Sequence, residues 1–528
     1  LTIREKIGQM LLVGFPAGEA GVEILRKAVA EFAAGNIILF SRNIGSPAEL
    51  FALDQKIRGI VQGGVGILPL IAIDQEGGIV ARITEGVTPI PGAMAQAASV
   101  AGGLRSASDV RALGAICGTE LSALGINWNL APVADVNVNP ANPVIGVRSY
   151  GEDPAKVAEL AAAFASGLSD GGVLATAKHF PGHGDTTVDS HLGLPLIPHD
   201  AARLESVEML PFKRLIAEGV AAIMTAHVRF PAFEPDALPA TLSSKVIRGL
   251  LREKLGYKGL VTTDCLEMKA IADNYPDAAV QAIKAGADLL DISHTYETQL
   301  AAARAIEAAV LRGEISEARL DESVARILAA KAALARPLSS WEEAAARLVR
   351  PESLALSDAV YRDSLSLIRQ GEGLPPAPGS LYVDIVPQGS SLVENPSLPS
   401  GLVAAALDSF CPGRFRSISV PVDPDEAAVA RVLAAAEGRD AVVGLHNASS
   451  NPGQVRLLAE LSSRLGPSGR KIGIVSMRSP YDSRALPESL SGSAFLCAFE
   501  YTRASARSVA RYLAGAYPAS GSCPVSVR

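Results

Sequence analysis

The feature that most restricts this chain is the spacing of its apolar runs. Over the first three hundred residues, eight short runs recur: IGQMLLVGF (7–15), GNIILF (35–40), PLIAIDQEGG (69–78), INWNLAPVADV (126–136), VLATAKHF (173–180), AAIMTAHVRF (221–230), GLVTTDCLEM (259–268) and ADLLDIS (287–293). Several are almost uninterrupted in apolar residues, the pattern of strands covered on both faces. Segments of helical character lie between most of them. SPAELFALDQKIRGI (46–60) opens on Ser46 and Pro47, with Glu49 at the capping-box spacing. DPAKVAELAAAFASGL (153–168) and SVEMLPFKRLIAEG (206–219) read in the same way. Gly35, Gly125, Gly172, Gly219 and Gly286 each end such a segment, where a left-handed cap would turn the chain back. Eight strand-helix units predict an α/β fold built on a TIM-like (β/α)8 barrel. A doubly wound open sheet is the alternative, but it usually has fewer strands, and no GxGxxG follows the first run.

At 528 residues the chain exceeds one ordinary core. The barrel is expected over 1–335 and a helical connector over 336–380. A smaller αβα sandwich domain is expected over 381–528, where the alternation resumes with LYVDIVP, SISVPV, AVVGLH, KIGIVSM and AFLCAF. A hydrophobic share of 48% with 20% charged residues excludes a disordered chain. The net charge of −7 gives no reason to expect nucleic acid or an anionic membrane as a partner. No run approaches the ~18 apolar residues of a membrane span. The start, LTIREKIGQM, carries no signal-peptide pattern, and both a cytoplasmic and a secreted or cell-wall-associated placement stay open. Cys117, Cys265, Cys411, Cys497 and Cys523 are scattered and odd in number, which reads as free thiols rather than a disulfide framework. Oligomeric state is not legible.

In a barrel the chemistry sits at the C-terminal strand ends. There the runs place Asp74-Gln75-Glu76, Asp135 with Arg148 in the following loop, Lys178-His179, His227, Asp264 and His294. Each also has a plainer reading. Asp74 could cap a helix, Arg148 could pair with Asp153, His227 could be a satisfied core imidazole, and His294 could be a bystander at the rim. Asp264 follows a buried-looking VTT run and needs a partner or a purpose there. The segment KHFPGHGDTTVDSH (178–191) holds three of the seven histidines. Pro181, Gly182 and Gly184 exclude a regular helix, so His179 and His183 are not a helical metal pair, and the first run lacks the H-x-H of a zinc barrel hydrolase. His183 reads as structural. In Asp189-Ser190-His191 the carboxylate can reach back to the imidazole and set its tautomer, giving a general acid/base. With a buried carboxylate such as Asp264 it would supply both halves of a displacement at an acetal carbon.

Those residues resemble glycoside hydrolase family 3, in its branch of bacterial β-N-acetylglucosaminidases. The stretches that carry the likeness are IDQEGG (73–78), APVADVNVNPANPVIGVRSYGEDP (131–154), KHFPGHGDTTVDSHLGLP (178–195), IMTAHV (223–228) and TTDCLEM (262–268). They cover most of 1–335 in family order, and VVGLHNASSNPGQ (442–454) with MRSPYD (477–482) resembles the sandwich domain of two-domain members. The resemblance implies that Asp264 is the nucleophile, His191 the general acid/base and Asp189 its orienting partner. It implies that Asp74, Arg148, Lys178 and His179 hold the hydroxyls of a terminal N-acetylglucosamine, with no metal and no cofactor. The implied partner is a small carbohydrate, a cell-wall muropeptide or a chitooligosaccharide. A β-glucosidase of the same family is the alternative. So is a phosphorylase, since a neutral imidazole does not repel an incoming phosphate as a carboxylate would. One departure is Ile79, where the family commonly has Arg after DQEGG; Arg82 is the candidate to take over its support of that loop. A metal-dependent barrel hydrolase and a non-catalytic sugar-binding protein are the rival classes.

Overall fold

The computed structural model describes residues 1–189, 192–275, 277–334, 340–387 and 400–527. The eight apolar runs become eight parallel strands: β1 (Leu11–Val13), β2 (Asn36–Leu39), β3 (Leu70–Ile73), β4 (Trp128–Asn129), β5 (Leu174–Phe180), β6 (Ala222–Thr225), β7 (Leu260–Thr263) and β8 (Leu290–Ile292). They follow one another in sequence order, with β8 beside β1, and the bridge between Thr262 and Leu289 brings the ring round from β7. Every residue of β1, β2, β3, β6, β7 and β8 is buried, which is why these runs show no alternation. β4 is short, yet the extended chain goes on past it. Thr176 N donates to Ala131 O, Lys178 N to Pro132 O and Ala134 N to Lys178 O. That continuation sets Asp135 alongside the end of β5.

The caps explain how the strands are spaced. Ser46 accepts from Glu49 N while Glu49 returns to Ser46 N, and Pro47 opens the helix Pro47–Val65. Gly125, Gly172, Gly219 and Gly286 all have positive φ, as their positions predict. Gly35 does not. The left-handed residue after the helix Gly18–Phe32 is Ala33 (φ 55°), and Gly35 is needed for another reason: a Cβ there would lie 2.5 Å from Gln9 Nε2. The helix expected over 206–219 begins at Leu210, after a separate helix Ala201–Ser206 capped by Asp200.

Beyond the helix Pro351–Ser364 the chain builds a second, mixed sheet: β9 (Ser366–Arg369), β10 (Leu381–Val386), β11 (Arg416–Pro421), β12 (Ala441–Leu445), β13 (Ile472–Ser476) and β14 (Phe495–Cys497). Its order is β9-β14-β13-β12-β10-β11, parallel except for β9. β9 lies in the segment that the sequence reads as connector; its SLIR run is short and only its first residue is fully buried, as befits an edge strand. This unit meets loops on the C-terminal side of the barrel strands. Gly92 N donates to Glu500 Oε2 at 2.6 Å and Asn137 Nδ2 to Tyr481 Oη at 3.0 Å. All five cysteines are free thiols, and no described helix is long and apolar enough to cross a membrane.

Candidate active site

A cavity of about 600 Å³ opens at the C-terminal ends of the barrel strands. Asp74, Arg148, Lys178, His179 and Asp264 all line it, although they come from four separate parts of the sequence. In a regular strand Lys178 and His179 would point to opposite faces. The register of β5 against β6 shifts between Ala177 and Phe180, and this irregularity brings both side chains to the cavity.

The wall formed by β3, β5 and the loop after β4 is an ion-pair network. Lys178 Nζ lies 2.8 Å from Asp74 Oδ1 and 2.7 Å from Glu76 Oε1. Arg148 takes Glu76 in a fork, Nε to Oε2 at 2.9 Å and Nη2 to Oε1 at 2.7 Å. Arg82 Nη2 reaches Asp74 Oδ2 at 3.3 Å, and its backbone N–H donates to Gln75 Oε1. The loop after β3 is thus held from Arg82, with Ile79 buried in place of a charged side chain. Burial alone would push Asp74 and Glu76 up. Lys178 with Arg82, and Arg148 with Lys178, outweigh it and hold both carboxyls below their ordinary range. Burial likewise pulls on Lys178, and Asp74 and Glu76 outweigh it, so its pKa is raised. All these groups are ionised at neutral pH, and the wall presents fixed donors and acceptors. Glu76 and Arg148 also line a small cavity with Phe499 and Glu500, so the second unit stands behind this wall.

Asp135 organises the start of the loop after β5. Its Oδ2 lies 2.8 Å from His179 Nδ1, and its Oδ1 accepts from the backbone N–H of His183 at 2.7 Å. His183 is buried, with Nδ1 2.9 Å from Thr186 Oγ1. Burial and the neighbouring His179 bring its pKa down to about 4, which keeps the ring neutral near pH 7. Asp189 is buried further along the same loop and is not among the residues that line the cavity. Its backbone carbonyl accepts from Leu192 N and Gly193 N. His191 lies outside the described residues.

Asp264 follows β7 directly, half-buried, with Oδ1 accepting from Cys265 N at 2.8 Å. His227 sits beneath it as a hydrogen-bonded core imidazole, Nδ1 to Thr241 Oγ1 at 2.8 Å and Nε2 to Cys265 O at 2.9 Å. His294 lines the cavity mouth against Phe40, its ring 5.2 Å from the phenyl centroid. Three residues with a part in this site have no role assigned from sequence, although Glu76 and Asp135 are placed at the strand ends. Glu76 lies two positions from Asp74, and that spacing at a strand end was a signal for a shared face. Asp135 was placed near a strand end without a partner. Asp291, within the LLDIS run, lines the cavity; burial pushes its carboxyl well above the ordinary range, and the nearby negative charge of Asp264 adds to the rise. The upward shift of Asp291 weakens the like charge that it sets beside Asp264.

The sequence profile described as "Glycosyl hydrolase family 3 N terminal domain" matches residues 2–330. A relative named beta-hexosaminidase A from Pseudoalteromonas piscicida is 34% identical over 417 residues, covering 71% of this chain and 68% of the relative. A beta-hexosaminidase from Alkalilimnicola ehrlichii is 40% identical over 264 residues, 48% of this chain and 72% of the relative. Among solved structures, a glycoside hydrolase family 3 beta-N-acetylglucosaminidase from Paenibacillus sp. superposes with a TM-score of 0.90 at 40% identity, covering 100% of this chain and 99% of the other. On the match over most of the barrel and the end-to-end likeness in fold, the chain belongs to glycosyl hydrolase family 3.

Proposed function

We propose that this chain is a retaining exo-β-N-acetylglucosaminidase that removes a terminal N-acetylglucosamine from a muropeptide or chitooligosaccharide. The observation that carries the reading is the meeting of Asp264 with Asp74, Arg148, Lys178 and His179 around one cavity, in a chain 40% identical end to end to a family 3 β-N-acetylglucosaminidase. Ionised Asp74 accepts from sugar hydroxyls, Lys178 and Arg148 donate to them, and the ion pairs keep these groups in place before substrate arrives. Asp264 attacks the anomeric carbon from the face opposite the leaving oxygen. His191, as imidazolium, gives its proton to that oxygen, and Asp189 orients the ring. A glycosyl ester of Asp264 forms; neutral His191 then takes a proton from water as the water oxygen bonds to the anomeric carbon and the ester oxygen leaves. The usual two-carboxyl arrangement is thereby changed in one member only, a histidine standing for the acid.

A panel of aryl β-glycosides tests this. The N-acetyl-β-glucosaminide should be turned over at least about a hundredfold faster than the β-glucoside, as expected when a pocket engages a polar substituent that the analogue lacks. The product should be free N-acetylglucosamine with or without added phosphate. Preference for the glucoside, or N-acetylglucosamine 1-phosphate as the main product, would overturn the assignment.

A further inference from the structure

A cluster of ligand-type side chains stands at the base of the loop after β5, outside the cavity. One oxygen of Asp185, one ring nitrogen of His199 and one oxygen of Glu208 lie within 4.8 Å of one another. Asp185 ends the turn that begins at Pro181, His199 precedes the cap of the helix Ala201–Ser206, and Glu208 lies in the bend before the helix Leu210–Ala217. His199 Nε2 and Asp185 Oδ2 are 2.6 Å apart, and both side chains are partly exposed. Glu208 is wholly buried. Its Oε1 accepts from Arg203 Nη2 at 3.0 Å, while its Oε2 is buried with no hydrogen-bond partner. Gly182 packs directly on this side chain, where an added Cβ would come 2.7 Å from Glu208 Cβ. A buried carboxylate oxygen without a donor is costly and uncommon.

We propose that Asp185, His199 and Glu208 bind a divalent cation of the zinc type, which clasps the base of the loop that carries Asp189. The buried Glu208 carboxyl, with Arg203 on Oε1 and no partner on Oε2, stands within reach of the Asp185 oxygen and the His199 ring nitrogen. One imidazole and two carboxylates are a zinc-like donor set; magnesium and calcium favour oxygen donors throughout. The exposed edges of Asp185 and His199 give the ion a way in. Joining Asp185 to His199 closes the thirteen residues between them, which include Asp189 and His191, into a loop anchored on the buried Glu208. Metal binding at such a point adds its free energy to the folded loop. The cation takes no part in the displacement at the sugar. The importance of the loop rests on the function proposed above; the binding does not.

The test is direct titration of the chelator-stripped, full-length protein with Zn²⁺ by calorimetry, alongside Asp185→Asn and His199→Gln. Both substitutions are near-isosteric and fall at partly exposed positions, and the thermal midpoints of the stripped variants check that they fold. One Zn²⁺ per chain, a rise in thermal midpoint on binding, and affinity at least about a hundredfold weaker in each variant are expected from the loss of a direct ligand. Absence of saturable binding in the stripped wild type, or wild-type affinity in either variant, overturns the proposal. Aryl glycoside turnover, read separately, reports on the enzymatic assignment and leaves the binding result unaffected.

Discussion

On one side of the cavity, Asp74, Glu76, Arg148 and Lys178 are tied by ion pairs of 2.7–2.8 Å, all of them on strand ends or against the second unit. The loop after β5 is held otherwise. Asn142 Nδ2 donates to His183 O at 2.9 Å, Asn139 Nδ2 to Thr186 O at 3.2 Å, and Ile197 pairs with Arg229 where the chain returns. Between those ties Val188 and Leu192 stand exposed, large apolar side chains with little to cover them. The contrast has a chemical sense. Hydroxyl recognition gains from donors and acceptors fixed in advance. Protonating a leaving group requires a residue that meets the aglycone side, and a loop can present one there.

The largest effect should come from the group that belongs to neither side. Asp264→Asn should lower kcat by roughly a thousandfold or more, as expected for loss of a covalent nucleophile, with KM little changed. Steady-state kinetics on an aryl N-acetyl-β-glucosaminide would read it, and a fall of less than tenfold would count against the assignment. Breaking the wall comes next. Glu76→Gln removes a counter-charge from both Lys178 and Arg148, and a broken buried pair costs about 3–5 kcal/mol. Chemical denaturation should show that loss, and KM should rise. A change below about 1 kcal/mol would mean that the wall is not preorganised by these pairs. The smallest effect concerns the loop. His183 has a folded pKa of about 4 against an ordinary 6.5, so as pH falls the unfolded chain takes up this proton first. Its contribution is therefore complete above pH 6.5 and lost as pH drops toward 4. His183→Asn should flatten that acid-side decline by up to about 3 kcal/mol, read as thermal midpoints across the range.

Much of this was legible before the structure. The eight runs gave the barrel because strands buried on both faces leave continuous apolar signatures, and strand ends then located Asp74, Lys178 and Asp264. What was not legible depends on contacts distant in sequence. Arg148 was open to pairing with Asp153 nearby, yet its partner is Glu76, 72 residues away. Asp135 could be placed at a rim, but its grip on both His179 and His183 arises from the continuation of β4 beside β5. The raised pKa of Asp291 follows from burial next to Asp264, which no local pattern encodes. β9 was hidden because a four-residue edge strand differs little from a connector.

The proposed division between a fixed wall and an acid-bearing loop is tested most directly by leaving-group dependence. Turnover of aryl N-acetyl-β-glucosaminides of graded leaving-group acidity should be compared between wild type and Asp189→Asn. The account predicts a loss of roughly a hundredfold for the poorest leaving groups, shrinking toward none for the most acidic, which need no proton. A uniform loss across the series would contradict it, because Asp189 would then serve the fold of the site and not the transfer of a proton.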